Sequence, residues 1–296
     1  MCTIATAKVQ RNYNCYNVYF NGCLRLINSA QDKLTKLLAA ADVEGEVLDL
    51  DVTDCKLAPQ KNFQNFIEGY SNKIARKTGL SIAEHSGKST FNPYFVYGPS
   101  GCGKSHLINA IGLEFQETNP NKRVYYITAQ QFQRQFTESV RQNTTNNFIS
   151  FYHSFDMLIV DDIQEWLTAS QTLKMFNNIF NYLLRNGKQI ILACDRPPVE
   201  LQDMGKRILS RFSNGIVVEM EDPDMQLRID FLNAKCNNDG LMIPIDIIEY
   251  IAKTSNGNIC NLEGMVNSLK AYSAVNNSDI DMNVAKRIVR SFIKMD

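Results

Sequence analysis

Residues Phe91 to Ser105 read F-N-P-Y-F-V-Y-G-P-S-G-C-G-K-S, and this stretch decides the fold. Tyr94, Phe95, Val96 and Tyr97 are aromatic or β-branched, enough for one short buried strand. The residues that follow fit G-x-x-x-x-G-K-[ST] at every fixed position: Gly98, Pro99, Ser100, Gly101, Cys102, Gly103, Lys104 and Ser105. His106 then opens a segment with apolar residues at Leu107, Ile108, Ile111 and Phe115, which is helical spacing. Strand, glycine loop and helix in that order are the context a phosphate-binding loop requires. Glycines let the backbone turn its N–H groups inward on phosphate oxygens, and the helix N-terminus adds partial positive charge there. Lys104 is expected to reach the β- and γ-phosphates of ATP or ADP, and the Ser105 hydroxyl to ligate Mg²⁺.

Working outward from the loop, strand and helix patterns alternate. Val124 to Thr128, Phe155 to Asp162, Gln189 to Ala193 and Ile216 to Glu219 read as further strands. Helical patterns over Ala129 to about Gln142 and over Leu173 to Leu184 lie between them. Such alternation predicts an α/β fold with a parallel sheet covered on both faces, a three-layer domain. Beyond Pro223 only helical patterns remain, in MQLRIDFLNAKC, PIDIIEYIAKTS, LEGMVNSLKAYS and MNVAKRIVRSFI. The expected organisation is therefore a region 1–56 of unassigned role, a nucleotide-binding α/β domain over 57–222, and a small helical lid over 223–296. The Asp222-Pro223 junction is the expected hinge.

Carboxylates at strand ends supply the remaining chemistry, because ligand sites in open α/β sheets lie there. Asp161 is placed to hold Mg²⁺, and Asp162 to orient or deprotonate an attacking water. Asp195 and Arg196 follow a later strand in the same manner. They suit either a contact with the γ-phosphate or an ordinary turn before Pro197. Arg207 and Arg211 are four apart and share a helix face, exposed to solvent or available to a neighbouring subunit's site. Upstream, Phe63 and Phe66 fit a plug of the core or a cover over a nucleotide base.

The chain has 296 residues, a zero formal net charge, 44% hydrophobic and 21% charged residues. That balance removes any global electrostatic case for nucleic-acid binding and leaves only a local patch. Eight cysteines stand without C-x-x-C pairing, which reads as reduced thiols. No apolar run has membrane-spanning length and the N-terminus lacks a signal-peptide core, so the expected location is cytoplasmic. In region 1–56, Ala30 to Val43 reads as a helix and E-G-E-V-L-D-L-D-V-T-D (44–54) as a half-exposed strand.

The joint order of NFQNFIEGYSNKIAR, FNPYFVYGPSGCGKSHLINAIG, FDMLIVDDIQ, NGKQIILACDRPP, RILSRF and NLEG resembles the AAA+ ATPases, and among them the bacterial DnaA replication initiators. The resemblance covers about residues 57 to 293. It implies that Asp195 is a sensor beside the γ-phosphate. It implies that Arg211 is the finger reaching ATP on an adjacent protomer, and that the stretch Phe66 to Gly69, with Phe66 and Ile67 as its binding residues, lies near the adenine. It further implies self-association through ATP, slow hydrolysis, single-stranded DNA as a ligand, and a role in initiating replication. Three departures bear on this. Cys260 stands where the family's second sensor has an arginine, Thr137 and Gln171 replace two DNA-gripping residues, and the family's C-terminal helix-turn-helix domain is expected to be missing. These departures suit an alternative, a regulatory paralogue that binds nucleotide and a replication initiator or helicase partner without gripping DNA. A helicase-loader-like ATPase would present the same core.

Overall fold

The computed structural model describes residues 8–12, 15–19, 57–84, 91–255, 257–276 and 279–293. The chain divides into two units, Met1–Asp49 and Leu50–Asp296. In the first, β1 (Lys8–Asn12) pairs antiparallel with β2 (Cys15–Tyr19). The helix expected over 30–43 and the strand expected over 44–54 lie outside the described residues.

The second unit opens with an irregular segment and a 3-10 turn leading into α1 (Lys73–Glu84). Then come β3 (Tyr94–Tyr97), α2 (Lys104–Thr118), β4 (Val124–Thr128), α3 (Ala129–Arg141) and α4 (Thr145–His153). They are followed by β5 (Met157–Asp161), α5 (Ser170–Arg185), β6 (Gln189–Cys194), α6 (Lys206–Phe212) and β7 (Ile216–Glu219). The five strands β3 to β7 form one parallel sheet in the order β4-β5-β6-β3-β7. Helix α4 is an addition to the sequence reading. Its aromatic residues Phe148, Phe151 and Tyr152 stand at i, i+3 and i+4 on one face and pack against neighbouring rings.

Period-two alternation divides the core. Phe95, Leu158, Val160, Ile190 and Leu192 face one layer, built around Phe132, Tyr152, Trp166, Phe176 and Phe212. Tyr94, Val96, Met157, Ile159, Ile191 and Ala193 face the other, against α1 and α2. In the first layer Phe132 meets Phe148, Tyr152, Trp166 and Phe176 at centroid separations of 5.3, 4.9, 5.2 and 5.7 Å. The Trp166 indole also donates to the Ala129 carbonyl at 2.7 Å, which pins the turn after β5 to the start of α3.

After β7 the chain is helical: α7 (Met225–Asn238), α8 (Ile245–Thr254), α9 (Ile259–Asn276) and α10 (Met282–Phe292). Asp224 and Asp281 cap the first and last of these by accepting from Leu227 and Val284 N–H, each at 2.8 Å. Leu232, Ile248, Ile251, Leu262, Leu269 and Val289 fill a core of their own. Among the described residues no helix is long and apolar enough to cross a membrane, and Cys102, Cys194, Cys236 and Cys260 are free thiols.

Candidate phosphate site

The loop between β3 and α2 is held from three sides. The Gly98 N–H donates to the Cys194 carbonyl at 3.3 Å, so the loop leaves the sheet beside the end of β6. Gly98 and Gly101 have φ of +157° and +83°, and a side chain at either would collide. A Cβ at Gly98 would lie 2.0 Å from the Met220 carbonyl oxygen, and one at Gly101 2.2 Å from Asn258 Oδ1. The Lys104 ammonium is buried and donates to the Gly98 and Pro99 carbonyls at 2.7 and 2.9 Å. The cation is thus folded into the loop that precedes α2, with Pro99 and Ser100 exposed at its rim. Cys102 is buried, and burial pushes its thiol pKa up.

Alternation along β5 turns Asp161 toward the α2 layer, beneath the first turn of that helix. Its carboxylate accepts from the Tyr126 hydroxyl at 2.7 Å and from the Asp162 N–H at 3.0 Å, and the neighbouring Ser105 side chain favours its ionised form. Asp161 is 2% exposed. Burial, and secondarily the charge of Asp162, push its pKa above the usual carboxylate range. The hydroxyl of Ser105 and this carboxylate are hard oxygen donors, the chemistry Mg²⁺ takes. Among the described residues no group of three or more His, Cys, Asp or Glu could hold a metal, so such an ion would rely on phosphate and water oxygens.

Asp162 has left-handed backbone, φ 57° and ψ 44°, at the start of the turn Ile163–Trp166. Its Oδ1 accepts from Gln164 Nε2 at 3.0 Å, and Gln164 Oε1 accepts from the Asp195 N–H at 3.3 Å. The Asp195 carboxylate is forked by Arg196, Nε and Nη2 donating at 2.7 and 2.8 Å, which holds its pKa below the ordinary value.

The entry segment reaches the loop through Asn109 on α2, whose Oδ1 accepts from the Ala58 N–H at 2.8 Å while Nδ2 donates to the Ala58 and Lys61 carbonyls. This seats Phe66 against His106, edge to face at 5.3 Å, with Phe66 Cε2 3.7 Å from where a Gly103 Cβ would stand. Phe63 and Phe66 are buried, so Phe66 is a core residue and borders the loop at once. His106 Nε2 is 2.9 Å from the Asn62 carbonyl oxygen, and burial lowers its pKa. The half-buried Ile67 accepts from Asn72 Nδ2 at 3.0 Å through its carbonyl.

Arg211 stands apart from this cluster. Helix α6 belongs to the opposite layer, and there Arg211 Nη1 donates to Asn177 Oδ1 on α5 at 2.6 Å. Beside it a groove of about 350 Å³ is lined by Leu173, Lys174, Asn177, Met204, Arg207 and Ile208. Thr137, Gln171 and Cys260 are exposed. Sequence reasoning missed Tyr126, Gln164 and Asn258. Only the neighbouring motifs pointed near them, since their partners come from other strands and from the helical region.

The family model "Bacterial DnaA ATPAse domain" matches residues 57–219. The chromosomal replication initiator protein DnaA of Bacteroides fragilis is 49% identical over 243 residues, covering 82% of this chain and 51% of that protein. The chain thus spans about half the length of the curated relatives it matches. Domain III of the Thermotoga maritima replication initiation protein DnaA superposes with a TM-score of 0.78 at 30% identity, over 81% of this chain and all of that one. A replication initiator DnaA bound to AMPPCP and single-stranded DNA superposes at 0.68 with 32% identity, over 75% of this chain and 69% of that one. The chain belongs to the bacterial DnaA ATPase-domain family.

Proposed function

We propose that this family member binds ATP and Mg²⁺, self-associates through the bound nucleotide, hydrolyses it slowly and acts in the initiation of DNA replication. The carrying observation is the convergence of Lys104, Ser105 and Asp161 at one end of the sheet. On binding, the ammonium would exchange the Gly98 and Pro99 carbonyls for phosphate oxygens, with the loop N–H groups from Gly101 to Ser105 around them. Ser105 and Asp161 would hold Mg²⁺, which neutralises phosphate charge. Asp162 would orient the attacking water and Asp195 sense the γ-phosphate. Phe66, Ile67 and His106 would border the base.

Arg211 would act on a neighbouring protomer's nucleotide, a role in keeping with its place in the other layer. Residues 57–222 would form the nucleotide-binding body and 223–296 a lid hinged near Asp222. Support for ATP and single-stranded DNA as ligands comes from the DnaA relative bound to AMPPCP and single-stranded DNA. A cytoplasmic site of action follows from the same reading.

The exposed, uncharged Cys260 at the start of α9 favours a second reading, a regulatory paralogue that binds nucleotide and a replication protein without gripping DNA. One experiment separates the two. Fluorescent-ATP binding is measured with and without Mg²⁺ beside Lys104→Ala, with single-stranded and duplex oligonucleotides titrated at fixed salt. Lys104-dependent ATP binding with ATP-promoted strand binding supports the initiator. ATP binding without DNA binding supports the paralogue, and no ATP binding overturns both.

A further inference from the structure

Gln164 bridges two strand ends in a way the nucleotide reading does not require. Its Nε2 donates to Asp162 Oδ1 (3.0 Å) and its Oε1 accepts from the Asp195 backbone N–H (3.3 Å). A carboxylate only accepts and a backbone N–H only donates, so the amide has a single satisfactory orientation. Glutamate would offer acceptors alone and would set a second negative charge against Asp162. Leucine would offer neither group.

The platform beneath Gln164 is rigid. The Glu165 N–H donates to the Asp162 carbonyl at 3.0 Å and the Leu167 N–H to the Gln164 carbonyl at 3.1 Å. The buried Trp166 closes the turn onto Ala129. Asp162 enters that turn in a left-handed conformation, which costs an L-residue energy and persists only where the surroundings fix it. Meanwhile the carboxylate of Asp195 is committed to Arg196, which leaves its backbone N–H as the link to Gln164.

We propose that Gln164 is a positioning residue for hydrolysis: it fixes the orientation of the Asp162 carboxylate and ties it to the end of β6, so that both strand ends respond to bound nucleotide as one. The inference rests on the reading of Asp162 as the group that orients the attacking water. A reacting group released from its orientation costs rate without a matching cost in ground-state binding.

The test compares the unaltered chain with Gln164→Ala, Gln164→Glu and Asp162→Asn. The readouts are amide hydrogen exchange at Asp195 in the nucleotide-free protein, fluorescent-ATP affinity, and single-turnover hydrolysis. For Gln164→Ala, exchange at Asp195 is expected to quicken, affinity to stay within about twofold and the hydrolysis rate to fall about tenfold to a hundredfold. For Gln164→Glu, which keeps the side chain's shape and an acceptor for the Asp195 N–H but has no N–H to donate to Asp162, exchange at Asp195 is expected to stay near that of the unaltered chain while the hydrolysis rate falls as in Gln164→Ala. Unchanged exchange and rate in Gln164→Ala, with full hydrolysis in Gln164→Glu, would overturn the proposal. Asp162→Asn separates the two failures. Full activity there removes the reading of Asp162 itself, whereas lost activity there beside an active Gln164→Ala removes only the tie.

Discussion

Asn258 is hydrogen-bonded to Ser100: its Nδ2 donates to the Ser100 carbonyl at 3.3 Å, while the adjoining Ile259 N–H donates to the Gly101 carbonyl at 3.0 Å. The first residues of α9 therefore rest on the phosphate loop itself. Asn258 Oδ1 also accepts from the Asn261 N–H at 3.2 Å, capping α9. One side chain thus ends a helix and touches the loop. Asn258→Ala is expected to lose about 1 kcal/mol, roughly 2–4 °C in melting temperature for a chain of this size, and to quicken amide exchange over 257–265. Thermal melting with exchange mass spectrometry checks both, and unchanged exchange would remove the coupling.

The buried ammonium of Lys104 makes two charge-assisted hydrogen bonds that phosphate oxygens would replace. Lys104→Met keeps the apolar stem and removes those donors. ATP affinity is expected to fall about tenfold to a hundredfold, the worth of hydrogen bonds to a charged group. Titration with a fluorescent analogue measures it, and equal affinities would exclude Lys104 as a ligand.

Asp161 gives a pH signature. Its folded-state pKa is raised by burial above its unfolded value, so the folded chain holds the proton more tightly. Its contribution to stability is complete below the ordinary aspartate pKa and is lost as pH rises through the raised value. Asp161→Asn removes that loss. The nucleotide-free variant is expected to melt higher than the unaltered chain at neutral pH and equally at low pH, about 2–4 °C for each kcal/mol relieved. It is also expected to lose stabilisation by ATP with Mg²⁺. A melting series from pH 4 to 8 decides the sign.

Phe132 is fully buried among four rings. Phe132→Ala is expected to destabilise the chain by about 3–5 kcal/mol, the usual cost of truncating a buried phenylalanine. It is also expected to loosen the Ala129–Trp166 link that supports Asp162. Urea denaturation measures the first effect. A loss below about 1 kcal/mol would contradict this view of the core.

The sequence by itself determined the local elements. Tyr94 to Tyr97, Val124 to Thr128 and Ile216 to Glu219 are strands with the bounds their patterns indicate, and the four late helices fall where apolar spacing put them. This is legible because a strand's alternation, a helix's spacing and a glycine loop's backbone freedom are properties of neighbours in the chain. The loop from Gly98 to Ser105 and the strand ends at Asp161 and Asp195 were read for the same reason.

Tertiary structure alone decided which side chains those elements share. Tyr126 reaches Asp161 only because β4 lies beside β5, and Gln164 reaches Asp195 only because β6 lies beside β5 on the other side. Asn258 reaches Ser100 across 158 positions, and Arg211 is paired with Asn177 in the layer opposite α2. Strand order and the seat of a distant helix arise from burying apolar faces shared by the whole chain, and no local pattern encodes them.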